Sequence, residues 1–430
     1  MHRPVLSGLA LLTLATTACS DPGNGDASVT SVTPATVEST TAADPATTAV
    51  PDTTAPTVTT DPPPPGGYTS VIVADIVDNP DLDPFERTIT TRLDKAGLPG
   101  ASLLVVQHGV LVEQEAWGEY DLDTIVPIAS ASKWLSAATI MTVVEEGLLS
   151  LDEPISSYVP QLRGQVGTIT LRQLLSFTSG LTDDGRVPCI TDPTSTMQDC
   201  AAKLLAGGVV HPPGTKFRYG SEHLYLAGAL AEHVTGVPFA QLFRERIAVP
   251  LGMDHTAFLQ SGSGGQYEDV TNPNPAGGAV STLGDYGRFL EMIVHGGLAP
   301  DGTRLLQEAS VAEMQADQTV GVPVTSAAAF RVNEQTPYGL GEWLDWTDEA
   351  GAAIVISSDG KFGFRPWIDR QNDLYGVYLI YDNGQGYVDG DPDAGANTDD
   401  EVVTSGNWVF VDVAEALGGS LPEVKHPNPR

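Results

Sequence analysis

A serine and a lysine three positions apart stand at the start of a stretch with helical periodicity. Ser130 and Lys133 belong to the segment IASASKWLSAATIMTVVEEGLLSLDEPI, in which apolar residues recur at helical spacing. Positions i and i+3 share a helix face, so the hydroxyl and the amine can meet. A serine becomes a nucleophile when a neighbouring base takes its proton, and a lysine can be that base. The spacing predicts a nucleophile–base pair, against the simpler interpretation of a capping serine and a solvated lysine.

A tyrosine and a serine two residues apart precede a second apolar segment. Tyr219 and Ser221 lie in PPGTKFRYGSEHLYLAGALAEHVTG, just before a predicted helix. A phenol and a hydroxyl at that place would share a hydrogen-bond network with Lys133. Histidines 223 and 233 follow on the same segment, and we interpret them as ordinary helix surface or core.

A third segment, DGKFGFRPWID at 359–369, combines a cation with a glycine on an expected strand. Lys361 would supply a positive charge for a substrate carboxylate. Gly363 would let a substrate backbone approach closely, because a glycine has no side chain. Trp367, further along, is expected in the core, with the lining of an acyl pocket as the alternative.

These segments resemble, in this order, the three signatures of the penicillin-recognising serine hydrolases, which include β-lactamases, DD-peptidases and related esterases. Residues 130–133 match the S-x-x-K element, residues 219–221 stand where the class C-like branch has Y-x-N, and residues 361–363 match K-T-G. Supporting stretches are SFTSGL, PGTKFRYGS, VPLGMDHTAF, GGAVSTLGDYGRFLEMI and YGLGEW. The resemblance covers roughly residues 70 to 420, and an ordered set of motifs is far more specific than a single one.

The resemblance implies an α+β fold in which an antiparallel β-sheet is flanked by helices and carries an inserted, mainly helical lobe. Ser130 would attack a carbonyl carbon, and Lys133 and Tyr219 would share the acid–base work. Ser221, Lys361 and Gly363 would contact substrate. The backbone N–H groups of Ser130 and Phe364 would form the oxyanion hole. The order of predicted elements, strands then helices then strands, favours the same fold.

Two residues depart from the family pattern. Ser221 replaces an amide side chain that would hold the substrate's amide, and Phe362 replaces a small hydroxyl residue beside Lys361. Both changes favour a serine hydrolase acting on small esters or on cell-wall D-amino-acid peptides. A true β-lactamase, a non-catalytic binding protein on the same fold and a surface adhesin are the alternatives. The retained Ser130, Lys133 and Tyr219 argue against the non-catalytic ones.

The charge of the chain restricts its partners. The sequence holds 55 acidic and 21 basic residues among 430, a formal net charge of -34. Such a surface repels nucleic acid and anionic lipid, so we expect a small ester, peptide or lactam as ligand and no nucleic-acid partner. We expect no cofactor and no metal. An aspartate-rich stretch at 389–393 faintly resembles a calcium loop, and we interpret it as a solvated acidic loop.

The N-terminal residues are typical of an export signal. An apolar run after Arg3, too short to span a bilayer, ends at Thr16-Thr17-Ala18-Cys19. A small residue followed by cysteine predicts lipidation of Cys19 and a protein anchored at the outer face of a bacterial membrane by that lipid alone. The alternative is an ordinary secretory signal and a secreted protein.

The three cysteines fit that interpretation. In an oxidising compartment Cys189 and Cys200 would form a disulfide that closes a short loop, leaving Cys19 as the odd one. The chain then divides into a signal peptide (1–18), a disordered Thr/Pro/Asp-rich spacer (19–67), the hydrolase domain (68–420) and a tail (421–430).

Overall fold

The segment ASLLVVQHGVLVEQEAWG predicts two strands around a turn at His108-Gly109. In the computed structural model of the chain, this hairpin forms one side of an antiparallel sheet. The structure describes residues 67–181, 188–259, 270–326, 336–382 and 406–420. The signal peptide, the tail and all of the spacer except Gly67 lie outside the described residues, as does the aspartate-rich stretch. No helix among the described residues is long and apolar enough to cross a membrane.

The strands of the described residues are, along the chain, β1 (Gly100–Gln107), β2 (Val110–Gly118), β3 (Val126–Pro127), β4 (Phe217–Arg218), β5 (Ala257–Phe258), β6 (Ala279–Ser281), β7 (Val324–Ser326), β8 (Trp343–Thr347), β9 (Ala353–Ser357), β10 (Arg365–Asp369) and β11 (Leu374–Ile380). Six of them form the main sheet in the order β2-β1-β11-β10-β9-β8, with every neighbouring pair antiparallel. The first two strands of the chain thus pair with the last four, and most helices lie between them in sequence. This arrangement confirms the predicted fold class.

The helices are α1 (Asp83–Ala96), α2 (Ser132–Glu145), α3 (Gly164–Gly167), α4 (Leu171–Leu175), α5 (Met197–Ala206), α6 (Ser221–Thr235), α7 (Phe239–Phe243), α8 (Val249–Leu251), α9 (Leu283–Val294), α10 (Glu308–Met314) and α11 (Gly406–Ala416). Short 3₁₀ turns lie at Ala129–Ala131, Ile155–Ser157 and Pro188–Ile190, and a π-helical turn lies at Arg244–Ala248. Helices α2 and α6 are buried along most of their length, so they form the centre of the helical lobe.

Strand β1, the second strand of the main sheet, has a hydrophobic core on each of its faces. Leu104 and Val106 face the larger core, which includes the buried residues of α2, α6 and α9. Leu103 and Val105 face the smaller core, which contains side chains of α1 and the last helix. Successive side chains of a strand point to opposite faces, so the alternation along β1 places the helical lobe and α1 on opposite faces of the sheet.

A disulfide joins Cys189 and Cys200, the pair that the sequence predicts. The two sulfurs are 2.04 Å apart and the bridged residues are 11 positions apart in sequence. Cys189 lies in a 3₁₀ turn and Cys200 on α5. The side-chain amide of Asn272 donates a hydrogen bond of 2.7 Å to the carbonyl of Cys189. The bridge therefore ties a loop to the helical lobe at a buried position.

Candidate active site

Ser130 occupies a 3₁₀ turn directly before the buried helix α2. Ala129 has a positive φ of 44°, which is strained for a residue with a Cβ and costs about 1–3 kcal/mol. Surrounding contacts hold this conformation. The N–H of Ile128 donates to the carbonyl of Ala279 at 3.0 Å, and the Tyr286 hydroxyl donates to the carbonyl of Ala131 at 2.8 Å. Strain of this kind is common at functional sites, and the contacts that hold it also hold the backbone on both sides of Ser130.

The Lys133 amine lies against the Ser130 hydroxyl, as the i, i+3 spacing predicts. Its Nζ donates a hydrogen bond of 2.9 Å to Ser130 Oγ and one of 2.5 Å to the carbonyl of Ala276. The side chain is only 2% exposed, and Nζ lies 4.8 Å from the centre of the Tyr219 ring. An amine held in contact with a serine oxygen is placed to take that oxygen's proton during nucleophilic attack.

Tyr219 forms part of an aromatic wall beside this pair. It follows β4, and its ring stacks on Trp343 with a centroid distance of 5.2 Å and packs on Phe177 at 4.7 Å. These contacts fix the orientation of the phenol near Lys133. Ser221 is half-buried and is the first residue of α6, two positions further on. Its contact with Lys133 stays a prediction.

The third motif is not on a strand, which corrects the sequence-based expectation. Lys361 and Gly363 lie in the turn between β9 and β10, and Lys361 is exposed. Hydrogen bonds from Gly360 N to the carbonyl of Phe364 (2.8 Å) and from Gly363 N to the carbonyl of Gly360 (3.0 Å) close this turn. Gly363 has a φ of 102°, a value closed to residues with a Cβ, and a Cβ there would collide with Ile380.

The same turn reaches Ser130 through a residue that the sequence did not single out. The Ser358 hydroxyl lies 3.4 Å from the backbone carbonyl of Ser130, and Ser358 is buried at the end of β9. Gly360 packs so tightly on the carbonyl of Ile128 that a Cβ would clash with it. The sequence feature that could have predicted this contact is the pair Ser357-Ser358 before the glycine-rich DGKFG. Small residues at a strand end allow another part of the backbone to pack closely.

A buried ion pair braces this turn. Arg365 Nη1 lies 2.8 Å from Asp359 Oδ2, and the side chains are 2% and 6% exposed. Burial, together with the carboxylates of Glu342 and Asp359, raises the pKa of Tyr286 well above its ordinary value. Tyr286 therefore stays a neutral donor to the Ser130 turn. Burial also raises the pKa of Glu342 well above its usual range, although Arg370 and Trp134 oppose this.

Phe364 lies next to β10 with its side chain fully buried. Its ring packs on Tyr286 with a centroid distance of 5.1 Å, so the backbone after Gly363 is fixed between the sheet and α9. A rigid backbone is what an oxyanion hole requires, because preformed N–H donors need no reorganisation. The role of its N–H in an oxyanion hole stays a prediction.

Three other residues discussed from sequence fall in the interior or on the surface. His223 is fully buried and its Nδ1 lies 2.8 Å from Ser179 Oγ, whereas His233 is exposed. Trp367 is 1% exposed and packs in the smaller core, on the face of the sheet away from the helical lobe. It is therefore a core residue, not part of an acyl pocket.

Among the described residues, one group of three side chains has metal-ligand spacing. Ligand atoms of Asp78, Glu86 and Glu113 all lie within 4.8 Å of one another. These three residues, called the acidic cluster below, lie on the segment before α1, on α1 and on β2, and none of them belongs to the elements that carry Ser130.

Comparisons with known proteins agree with this geometry. A sequence model described as Beta-lactamase matches residues 85–399. A solved structure, a candidate β-lactamase from Bacteroides dorei, is 35% identical with a TM-score of 0.63, and the match covers 75% of this chain and 98% of that one. The range matched by the sequence model includes Ser130, the turn after β9 and the main sheet.

Two curated relatives match at lower identity. Penicillin-binding protein 4 of Amycolatopsis lactamdurans is 28% identical over 367 residues, which cover 77% of this chain and 88% of that protein. Protein flp of Staphylococcus aureus strain N315 is 28% identical over 199 residues, 43% of this chain. The chain spans 40% of the length of that staphylococcal relative.

Proposed function

This chain belongs to the β-lactamase family, and from that premise we propose that it is a serine hydrolase that cleaves small acyl esters through an acyl-enzyme. The observation that carries the proposal is the part-buried hydrogen bond of 2.9 Å between Lys133 Nζ and Ser130 Oγ. In the proposed reaction Lys133 takes the Ser130 proton as Oγ attacks the carbonyl carbon. The alcohol then leaves with a proton, and water cleaves the acyl-enzyme.

Two sites support esters over lactams as substrates. Ser221, at the start of α6, has a shorter side chain than the amide that the family pattern places there, and it offers one donor. Phe362 is half-buried and packs on Tyr381 with a centroid distance of 5.2 Å, so no small hydroxyl stands beside Lys361. Losing one charge-assisted hydrogen bond costs about 1.5–3 kcal/mol. A small ester needs neither contact.

Cleavage of D-amino-acid peptides is the second candidate. Lys361 is exposed and lies three residues after Ser358, whose hydroxyl approaches the backbone of Ser130. The C-terminal carboxylate of a peptide substrate would therefore have a cation in the same turn. The relative from Amycolatopsis lactamdurans carries the name of a penicillin-binding protein. This candidate uses the same nucleophile and differs only in the leaving group.

Intact-mass spectrometry after exposure to a fluorophosphonate tests the nucleophile. The chain should gain one label, and Ser130→Ala should gain none while its Tm changes little. Ser132→Ala is the matched control, because Ser132 lies on the same turn but its Oγ accepts a hydrogen bond from Ala279 N at 3.0 Å. Wild-type labelling of Ser130→Ala would refute the proposed nucleophile.

Turnover of three substrates tests specificity. We expect measurable kcat/KM for p-nitrophenyl butyrate and slow or absent turnover of a chromogenic cephalosporin. Turnover of a D-Ala-D-Ala peptide would support the second candidate, and its absence would exclude it. The double variant Ser221→Asn, Phe362→Thr should shift the balance toward the lactam. Efficient cephalosporin turnover without ester turnover would overturn the ester assignment while leaving the nucleophile intact.

We also propose export and anchoring through a lipid on Cys19. The Cys189–Cys200 disulfide supports export, since disulfides persist in oxidising compartments. A multiply acylated cysteine holds a protein at a membrane, whereas one acyl chain binds only marginally. Cys19→Ser should release the protein into the medium. An unmodified mature N-terminus, or unchanged fractionation, would favour simple secretion.

A further inference from the structure

The acidic cluster lies on the face of the sheet that faces away from the active site. Glu113 on β2 pairs directly with Val105 on β1, so the two side chains share a face. Val105 belongs to the smaller core with α1, whereas Trp134, next to Lys133, belongs to the larger core. A ligand bound at Glu113 would therefore contact neither Ser130 nor its substrate.

Three parts of the chain meet at this cluster. Val77 pairs with Gln114 on β2, and the Gln114 amide donates to the carbonyls of Val73 (2.7 Å) and Asp75 (2.9 Å). These bonds lay the segment before α1 along β2 and bring Asp78 beside Glu113. Glu86 comes from the first turn of α1. The fold thus gathers three carboxylates from three separate elements of the chain.

Glu113 is the residue that points to a ligand. Its side chain is fully buried, and its Oε2 accepts a hydrogen bond of 2.9 Å from Asn79 N. Its Oε1 is buried as well and accepts no hydrogen bond from the described residues. A buried carboxylate oxygen without a donor costs free energy comparable to a lost hydrogen bond or more. Something other than a protein donor must satisfy this oxygen.

The neighbours of Glu113 add negative charge rather than neutralise it. Burial, then the nearby Glu86 and Glu115, raise the pKa of Glu113 to about 8 despite the Asn79 hydrogen bond. Burial, followed by Glu115, Asp78 and Asp83, raises the pKa of Glu86 to about 7, and Arg87 offsets only part of this. Arg87 itself pairs with Asp83 at 3.5 Å.

We propose that Asp78, Glu86 and Glu113 bind one hard divalent cation, with calcium as the preferred ion. Carboxylate oxygens are the ligands that such ions take, and calcium–oxygen distances are about 2.3–2.6 Å. Oxygens that lie within 4.8 Å of one another can therefore all contact one calcium ion. Asp78 is exposed, Glu86 half-buried and Glu113 buried, so an ion can enter from solvent and reach Glu113 Oε1. The bound ion would tie the segment before α1, α1 and β2 together.

Calcium titration of the EDTA-treated, full-length protein tests this site. Calorimetry should show one saturable site, and millimolar calcium should raise Tm by about 3 °C or more at constant ionic strength. Asp78→Asn should weaken calcium binding by at least about tenfold, because it removes one of three charged ligands. Asp78 is exposed, so this variant should keep the wild-type Tm in EDTA or exceed it.

Asp81→Asn is the matched control, because it removes one exposed carboxylate from the same segment outside the cluster. It should bind calcium like the wild type. Equal responses of both variants and the wild type would mean diffuse screening of the acidic surface and would overturn the proposal. Absence of any response to calcium or magnesium would also overturn the proposal. It would indicate that bound protons, not an ion, neutralise the acidic cluster. A magnesium response equal to that of calcium would keep the hard-cation site and overturn the preference for calcium. These experiments measure only cation binding and Tm, so their outcome does not depend on hydrolase activity or on the proposed function.

Discussion

The active site and the acidic cluster bury ionisable groups on opposite faces of one sheet, with different surroundings. Around Ser130, the Lys133 amine has the Ala276 carbonyl, the serine hydroxyl and an aromatic ring as neighbours, and Asp359 has Arg365. In the acidic cluster, Glu113 and Glu86 have other carboxylates as neighbours. The first arrangement is stable by itself, whereas the second needs protons or a cation.

The contrast separates two ways of holding a buried group. A group that faces neutral acceptors or an opposite charge can be kept for chemistry at little cost in stability. A group that faces like charges makes stability depend on pH and on ions. In the active-site region, stability should therefore depend on keeping charges paired, and in the acidic cluster it should depend on pH and on bound ions.

The largest effect is expected for Lys133→Met. General acid–base catalysis contributes about 10²–10⁴-fold, so acylation by p-nitrophenyl butyrate should slow by that factor. Unfolding should change little, because methionine has a similar length and a buried amine is removed. Single-turnover kinetics and thermal unfolding measure the two. Acylation at the wild-type rate would show that Lys133 is not the base.

Arg365→Met should cost the most stability. It leaves Asp359 buried without its cation, and breaking a buried pair costs about 3–5 kcal/mol in the free energy of unfolding. Urea unfolding measures this loss, and ester turnover should fall as the turn after β9 loosens. Arg244→Met, on an exposed arginine of the π-helical turn, is the control.

Replacing both partners distinguishes charge imbalance from lost packing. Arg365→Met combined with Asp359→Leu should recover most of the stability, since apolar replacements of a buried pair are often neutral. A double variant as unstable as the single one would mean that the ion pair does not act as a balanced unit.

Glu113→Gln should flatten the dependence of stability on pH. The folded-state pKa of about 8 exceeds the ordinary value of 4.5, so between these values the folded chain holds a proton that the unfolded chain has lost. The free energy of unfolding of the wild type in EDTA should thus fall as pH rises, by at most about 1.4 kcal/mol per pH unit for this proton. Urea titrations at several pH values measure the slope.

Glu119→Gln, on an exposed residue just after β2, is the control for this slope. It should keep the wild-type dependence on pH. Calcium should counteract the fall in the wild type, because the ion replaces the proton. If Glu113→Gln shows the wild-type slope, other buried acids such as Glu342 carry the effect and the contrast between the two regions fails.

The smallest effect is expected for Lys361→Met. Its amine is exposed, so the free energy of unfolding should change by less than about 0.5 kcal/mol and ester turnover should stay the same. A substrate with a carboxylate should lose about two- to fivefold in kcat/KM, since an exposed charge pair contributes little. A large loss of ester turnover would place Lys361 in the reaction itself.

Several features follow from local sequence. The i, i+3 spacing at a helix start is enough to predict the Ser130–Lys133 contact, although the distant Ala276 carbonyl also holds the amine. The hairpin before Ser130 follows from the two strand-like runs around His108-Gly109. The spacing of Phe85, Ile89 and Leu93 predicts a helix over 84–96, and α1 lies there. The order of strands and helices was enough to predict one antiparallel sheet with an inserted helical lobe.

Other features were decided by tertiary structure. Lys361 and Gly363 lie in a turn because Gly363 has a φ of 102° and Asp359 pairs with Arg365 across that turn, neither of which a K-x-G pattern reveals. Ser358 reaches Ser130 across 228 positions of sequence. The acidic cluster exists because β2 pairs with β1 in the register that turns Glu113 inward, toward α1. Helical spacing fixes neighbours within a turn, whereas strand register and loop closure fix neighbours that are far apart in the chain, and only the folded structure sets those.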